Sequence, residues 1–298
     1  MRVPEEVLKC VGFIGEVTHT DAVGNISGDL HATGFFVAIP ASSPKLLNSW
    51  TIYFVTAKHV AQDLKDKVVY FLVNRIGGGV TSIKGVYGGH WWFHPDDPAA
   101  DLALIPIHSQ PDADIKAVHF DNLGTKENLA KLDVGIGDEI YATGLFTPAG
   151  GIDRNLPIVR HGNIAMMPQE QIQTELGYAD VYLVEARSLG GLSGSPVFVR
   201  PTISIPLPEN SYGLKHSFCY GHGATLLGLM HGHWDIKESE INKPFFTHDR
   251  QRGVNYGVAI VVPAYKISET LNRPELVEQR KKAEESAIQG TVPSMDSN

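Results

Sequence analysis

Hydrophobic positions along most of the chain fall into short runs that alternate with turn-forming residues. Short apolar runs at this spacing are typical of strands in β-barrels and β-sandwiches. The strands predicted in this way cover residues 32–39, 50–56, 68–73, 102–107, 139–144, 159–166, 181–185, 196–199, 224–230 and 257–262. A short helical turn is predicted at 59–64, and the predicted fold class is all-β.

The pattern becomes helical after Pro263. Residues 264–271 predict one helix, and Pro274 interrupts it because proline fits the first turn of a helix better than its interior. The segment 275–287 is rich in Glu, Lys, Gln and Arg, and it predicts a second, exposed helix. The last stretch, 290–298, is predicted to be disordered.

Two segments, 200–223 and 235–253, are longer than a hairpin connection requires. Loops of this length in a compact domain are often functional. A role in substrate selection and simple surface decoration are both open for them.

The charge balance argues against some classes of function. The 298 residues include 33 acidic and 25 basic side chains, which give a net charge of −8. Such a surface does not favour nucleic acids or anionic membranes, and no apolar stretch of about 20 residues predicts a transmembrane helix. The N-terminus has no apolar secretion signal, and the chain has only two cysteines, Cys10 and Cys219. We therefore expect a cytoplasmic location.

The strongest chemical signal is the sequence Gly-Leu-Ser-Gly-Ser-Pro at 191–196, which directly precedes the apolar run 197–199. A nucleophilic serine needs an exposed hydroxyl on a tight turn, with backbone N–H groups free to bind a developing oxyanion. Glycine allows the sharp turn and the close approach of a substrate. The central Ser193 is therefore a candidate nucleophile.

Two upstream segments strengthen this interpretation. His59 follows the run 54–58, and Asp101 begins the sequence Asp-Leu-Ala-Leu at 101–104. From about residue 11 to about residue 271 the chain resembles the trypsin-like serine proteases, especially their bacterial, disulfide-poor members. Segments 54–60, 101–104 and 191–196 are similar to the family's histidine, aspartate and serine boxes, in the family's order.

This resemblance implies the chymotrypsin-like fold, with two six-stranded antiparallel β-barrels packed face to face and a C-terminal helix. It implies a protease domain at 1–272, with the first barrel at about 8–120, the second at about 133–263 and the helix at about 264–272. Residues 273–298 would then form a charged helical extension and a tail. The catalytic cleft would lie between the barrels.

The resemblance also implies a serine endopeptidase that works through an acyl-enzyme intermediate. Ser193 would attack the carbonyl carbon, His59 would move the proton, and Asp101 would orient the imidazole. The N–H groups of Gly191 and Ser193 would form the oxyanion hole. No cofactor is expected, because a triad supplies the nucleophile, the base and the electrostatic support.

In this family the strand after the serine loop pairs with the substrate backbone. That strand corresponds to a segment containing Met230, His231 and Gly232, which are expected to line the cleft. The expected partner is a protein or peptide substrate.

The side-chain preference stays open. Arg187 occupies the position where trypsin-type enzymes have an aspartate, so a preference for Lys or Arg is not expected. Together with His231 and His233, Arg187 would favour acidic side chains through charge-assisted hydrogen bonds. A small or aliphatic preference is equally consistent with the sequence.

Three other classes are weaker. A protease-like fold that only binds peptides needs none of the three triad residues. An α/β-hydrolase requires a Gly-x-Ser-x-Gly turn and strand–helix alternation, and both are missing. A metal site assembled from Cys219, His222, His231 and His233 lacks the paired spacing of structural zinc sites, so no metal is expected.

Overall fold

The computed structural model describes residues 3–20, 26–47, 49–84, 90–108, 110–151, 153–186, 191–200, 205–206, 216–217, 225–237 and 253–290. Two β-sheet units dominate this part of the chain, and helices close it at the C-terminal end. The prediction of an all-β fold with a C-terminal helix is confirmed.

The first unit is an eight-stranded sheet. Its path runs β5-β4-β1-β2-β3-β7-β6, and β8 pairs with β2 in parallel. The strands are β1 (Val11–Thr20), β2 (Ile26–Pro40), β3 (Trp50–Thr56), β4 (Val69–Asn74), β5 (Val80–Lys84), β6 (Trp92–Phe93), β7 (Ala103–Ile107) and β8 (Val118–His119). The sheet thus has two strands more than predicted, and β5 and β6 lie at its two ends.

The second unit is a closed barrel with the order β10-β13-β18-β17-β14-β9. Its strands are β9 (Glu139–Gly144), β10 (Ile158–Met166), β13 (Tyr182–Glu185), β14 (Pro196–Arg200), β17 (Thr225–Lys237) and β18 (Gly253–Pro263). Two small hairpins accompany it, formed by β11 (Ile172–Thr174) with β12 (Gly177–Ala179) and by β15 (Ile205–Pro206) with β16 (His216–Ser217).

The described residues also form three short 3-10 helices and five α-helices: α1 (Glu5–Lys9), α2 (Lys58–Asp63), α3 (Lys126–Lys131), α4 (Ala264–Leu271) and α5 (Pro274–Ile288). No helix in this part of the chain combines the length and the hydrophobicity needed to cross a membrane.

The alternation of side chains along β14 joins the two units. Successive residues of a strand point to opposite faces. Val197 and Val199 pack into the core of their own barrel, whereas Phe198 packs into the core of the first unit. Leu226 and Leu229 of β17 reach the same first core. The seam between the two units is therefore apolar, and it fixes the units against each other.

Helix α5 is largely exposed, as its charge predicts, but one side of it packs against the first unit. Leu276 is fully buried, and Arg280 donates hydrogen bonds to Tyr53 Oη at 3.0 Å and to Leu271 O at 2.9 Å. The carboxylate of Glu284 accepts from Ser42 N at 3.0 Å and from Ser42 Oγ at 2.8 Å. Polar side chains thus dock this helix on the first sheet.

Candidate active site

His59 lies at the junction of β3 and α2. Strand β3 ends at Thr56, whose hydroxyl donates to Thr33 O at 2.8 Å, and α2 begins two residues later. Two hydrogen bonds then join His59 to Asp101. The backbone N–H of His59 donates to Oδ1 at 2.9 Å, and its Nδ1 lies 2.7 Å from Oδ2. Because the bonds use both carboxylate oxygens, they fix the orientation of the imidazole.

Asp101 lies at the end of a turn that precedes β7. The side chain of Asp97 shapes this turn, because its Oδ1 accepts the N–H groups of Ala99 and Ala100 at 3.0 and 3.2 Å. The ammonium of Lys266 in α4 lies 3.0 Å from the other oxygen of Asp97. The turn delivers the Asp101 carboxylate, whose side chain is only 2% exposed, beneath the more exposed ring of His59.

His231 of β17 is a second histidine on the same carboxylate. Its Nδ1 forms a short hydrogen bond with Asp101 Oδ2, the oxygen that also faces Nδ1 of His59. Because an ionised carboxylate only accepts hydrogen bonds, each of these two Nδ1 atoms carries a proton. The two rings are nearly perpendicular, with centroids 5.7 Å apart. The sequence predicts His231 as a residue of the substrate cleft and does not reveal this contact.

The contacts among Asp101, His59 and His231 lower the pKa of Asp101 and raise the pKa of His59. Burial alone would raise the pKa of Asp101, but hydrogen bonds from His231 and His59 lower it by more, so the carboxylate stays ionised. Burial alone would lower the pKa of His59, but the hydrogen bond and charge of Asp101 raise it by more. The carboxylates of Asp63 and Glu175 add to this rise. The site therefore stabilises the imidazolium form of His59.

The serine loop is held at the seam between the two units. Ser193 O accepts the N–H of Thr33 at 3.1 Å, so the first unit binds the loop on one side. Gly194 N donates to Met230 O at 2.8 Å, and Met230 N donates to Ser195 O at 2.8 Å, so β17 binds the loop on the other side. Ser193 is half-buried between these two anchors.

Gly194 must be glycine for this loop to close. Its φ of +80° lies in the left-handed region, which side chains rarely adopt. A Cβ atom at this position would lie 2.2 Å from Thr33 O and 2.4 Å from Thr56 Oγ1. The close approach of the serine loop to β2 and to the end of β3, just before His59, therefore depends on the absence of a side chain.

Three consecutive N–H groups of the serine loop have no hydrogen-bond acceptor among the described residues, namely those of Gly191, Leu192 and Ser193. The N–H groups of Gly194 and Ser195 are both used. Gly191 has a φ of +93°, and its carbonyl oxygen accepts the hydroxyl of Thr33 at 2.8 Å. Two unused N–H groups beside a serine are what an oxyanion hole requires.

The hydroxyl of Ser193 makes no hydrogen bond to the ring of His59 within the part of the chain that the structure describes. Catalytic hydrogen bonds are often long before a substrate binds and tighten in the complex. His59 and Ser193 therefore come from the two sides of one seam, without a hydrogen bond between their side chains.

The remaining predicted site residues differ in what they offer. Met230 is buried in the core of the second barrel, and its backbone N–H and carbonyl already bond to Ser195 and Gly194. Gly232 has open space around it. Arg187, Cys219 and His222 lie outside the described residues.

A metal ion could in principle use the group formed by His59, Asp101 and His231, since one potential ligand atom of each lies within 4.8 Å of the others. A tetrahedral zinc with bonds of about 2.0–2.2 Å holds its ligand atoms roughly 3.3 Å apart. The 2.7 Å between His59 Nδ1 and Asp101 Oδ2 is shorter and is the distance of a hydrogen bond. The observed arrangement fits protons between these atoms rather than a metal ion.

Solved structures share this architecture. The chain is similar to the crystal structure of the MamO protease domain from Magnetospirillum magneticum in its apo form, with a TM-score of 0.53 and 14% sequence identity over 90% of this chain and 98% of that chain. The chain has the fold of the trypsin-like serine proteases. The crystal structure of Deg5 also matches, with a TM-score of 0.45 and 15% identity over 76% of this chain and 81% of that one. Neither a protein-family model nor a curated protein matches the sequence.

Proposed function

We propose that this protein is a serine endopeptidase with Ser193 as nucleophile, His59 as general base and Asp101 as the residue that orients the base. The observation that carries the proposal is the pair formed by His59 and the buried Asp101, joined by two hydrogen bonds. Across the seam lies a serine loop in which the N–H groups of Gly191 and Ser193 have no acceptor among the described residues. The fold shared with a protease domain agrees with this assignment.

The proposed reaction follows from these positions. The proton of the Ser193 hydroxyl moves to Nε2 of His59 as Oγ bonds to the peptide carbonyl carbon, and the N–H groups of Gly191 and Ser193 bind the resulting oxyanion. His59 then gives that proton to the leaving amine as the C–N bond breaks, which leaves an acyl-enzyme. Water hydrolyses the ester by the same route in reverse.

Labelling with a fluorophosphonate probe tests the nucleophile. We expect the wild-type protein to be labelled and the adduct to map to Ser193 by mass spectrometry. Ser193→Ala should abolish labelling and peptide hydrolysis, whereas Ser82→Ala, on β5 away from the seam, should retain both. Equal labelling of Ser193→Ala and the wild type would overturn the assignment.

A peptide-binding module is the second candidate. The missing hydrogen bond between the Ser193 hydroxyl and His59 favours it, because such a module needs no activated serine. Its prediction is binding of peptides with no labelling by the probe and no hydrolysis at any pH. A wild-type protein that turns over peptide substrates eliminates this candidate.

A further inference from the structure

The proposed catalytic groups come from different units of the fold. His59 and Asp101 belong to the first unit, and Ser193 belongs to a loop of the second barrel. Proton transfer between them requires a precise distance, and a displacement of about 1 Å can cost roughly 100-fold in rate. The apolar contacts of the seam have no preferred direction and do not set this distance precisely. The hydrogen bonds of Thr33 hold the serine loop against the first unit, but they do not involve the His59–Asp101 pair.

One polar contact crosses the seam directly at the acid–base pair. His231 comes from β17 of the second barrel, and its Nδ1–H bonds to the buried carboxylate of Asp101 in the first unit. The side chain of His231 is 11% exposed. A buried, charge-assisted hydrogen bond is directional, and it therefore defines the position of one unit relative to the other.

The same strand segment also holds the nucleophile. Met230, adjacent to His231, exchanges backbone hydrogen bonds of 2.8 Å with Gly194 and Ser195, on the C-terminal side of Ser193. The imidazole of His231 and the backbone of Met230 therefore connect the carboxylate of Asp101 to the serine loop.

An irregularity in β17 aims His231 at this contact. The pairing of β17 with β18 shifts between Met230, opposite Val261, and Gly232, opposite Ile260, so His231 is an extra residue in the ladder. A bulge of this kind redirects a side chain and often occurs next to active sites. Met230 can therefore enter the barrel core while the neighbouring ring turns toward Asp101.

We propose that His231 is a positioning residue that ties the serine loop of the second barrel to the His59–Asp101 pair of the first unit through its Nδ1–H hydrogen bond to Asp101. This inference rests on the proposed endopeptidase function. His231 touches neither the substrate nor the reacting atoms in this role, and it acts through Asp101.

The contact also moderates the charge that His59 experiences. A donor on Asp101 Oδ2 disperses the negative charge of that carboxylate, so the carboxylate attracts the imidazolium of His59 less strongly. The other charged groups facing His59 are Asp63 of its own helix and Glu175 of the β11–β12 turn. A substitution at residue 231 alters neither of these carboxylates. A change in the pKa of His59 would therefore reflect the loss of the hydrogen bond from His231 to Asp101.

The test compares His231→Leu, which removes the donor, with His231→Asn, whose amide N–H replaces Nδ1–H. We expect His231→Leu to lower kcat about 10- to 100-fold with little change in KM, and to move the acid limb of the kcat/KM profile to higher pH. His231→Asn should recover most of kcat and return the acid limb toward that of the wild type. The control His161→Leu changes an exposed histidine of β10 and should match the wild type in every measurement.

Nuclear magnetic resonance of the ¹⁵N-histidine-labelled wild type provides a measurement that needs neither activity nor a stable variant. We expect slowly exchanging Nδ1–H signals from both His59 and His231. A wild-type His231 that carries its proton on Nε2 alone would overturn the proposal. So would an unchanged kcat and acid limb in a folded His231→Leu protein. If the fluorophosphonate probe does not label Ser193 in the wild type, the proposed endopeptidase function is refuted instead. The two Nδ1–H signals do not depend on that function and would still be expected.

Discussion

The hydroxyl of Thr33 donates to the carbonyl oxygen of Gly191 at 2.8 Å, although the two residues are 158 positions apart in the chain. The hydroxyl oxygen of Thr33 also accepts the N–H of Leu145 at 2.7 Å, and the N–H of Thr33 donates to Ser193 O. One buried threonine of the first sheet thus holds the serine loop at two carbonyl groups and fixes the start of the loop after β9. This arrangement anchors the Gly191–Leu192 and Ser193–Gly194 peptides, which directly follow the two N–H groups of the proposed oxyanion hole.

Thr33→Val should therefore weaken both folding and catalysis. The change keeps the volume but leaves the N–H of Leu145 and the carbonyl of Gly191 without a partner, which costs about 1–3 kcal/mol per buried group. We expect a lower free energy of unfolding in urea, together with slower labelling of Ser193. Thr33→Ser retains the hydroxyl and should label at close to the wild-type rate. A valine variant as reactive as the serine variant would contradict this role.

Gly194→Ala should inactivate the protein. The new Cβ meets Thr33 O at 2.2 Å in a backbone conformation with φ of +80°, so the serine loop must move away from β2 and β3. Peptide hydrolysis should fall at least about 100-fold, because a shift of about 1 Å suffices for that loss. The matched control is Gly135→Ala, where no atom lies within 4 Å. Full activity of Gly194→Ala would show that the loop position matters little.

Asp101→Asn should reduce kcat by about 10⁴-fold while KM changes little. Asp101 accepts the backbone N–H of His59 on one oxygen and Nδ1–H on the other, whereas an amide has only one accepting oxygen, so at least one of these two bonds to His59 is lost. Steady-state kinetics with a peptide substrate measure this loss. Asp112→Asn, which affects an exposed ion pair with Arg75, should behave like the wild type. Similar kcat values for the two variants would remove Asp101 from the mechanism.

The kcat/KM profile should show an acid limb with a midpoint above pH 6.5, the ordinary pKa of histidine. His59 acts as a base only when it is neutral, and Asp101, Asp63 and Glu175 raise its pKa. Activity is therefore lost as the pH falls through the raised pKa and is retained above it. A limb centred well below pH 6.5 would mean that these carboxylates do not control the titration of His59.

Leu276→Ala should destabilise the whole fold rather than release an appendage. Leu276 of α5 is fully buried against the first core, and truncating a buried leucine typically costs about 2–5 kcal/mol. Thermal unfolding followed by circular dichroism should show one transition at a lower Tm. Ile288→Ala, at a 40% exposed position of the same helix, should leave Tm nearly unchanged. Equal Tm values for the two variants would indicate that α5 contributes little to the core.

Local patterns predicted much of the secondary structure. Strand β9 and helix α4 have the predicted bounds, because apolar periodicity and the proline at the end of β18 mark them in the sequence. The proximity of His59 to Asp101 agrees with the motifs around each residue.

Tertiary hydrogen bonds account for what the sequence did not reveal. The contact of His231 with Asp101 depends on one extra residue in the pairing of β17 with β18, and no local pattern encodes that register shift. Thr33 bonds to backbone atoms that any residue supplies, so it leaves no motif. The docking of α5 depends on Arg280 and Glu284, whose charges favour an exposed position when the helix is considered alone.

The division of the candidate centre between two β units has a consequence for biosynthesis. On the ribosome, the first sheet with His59 and Asp101 emerges well before the loop that carries Ser193. A chain synthesised only as far as the first sheet would contain the proposed base without the serine, and an isolated second barrel would contain the serine without the base. Under the proposed function, peptide hydrolysis begins only after both units have folded together. This requirement would protect the nascent protein and its neighbours from premature cleavage.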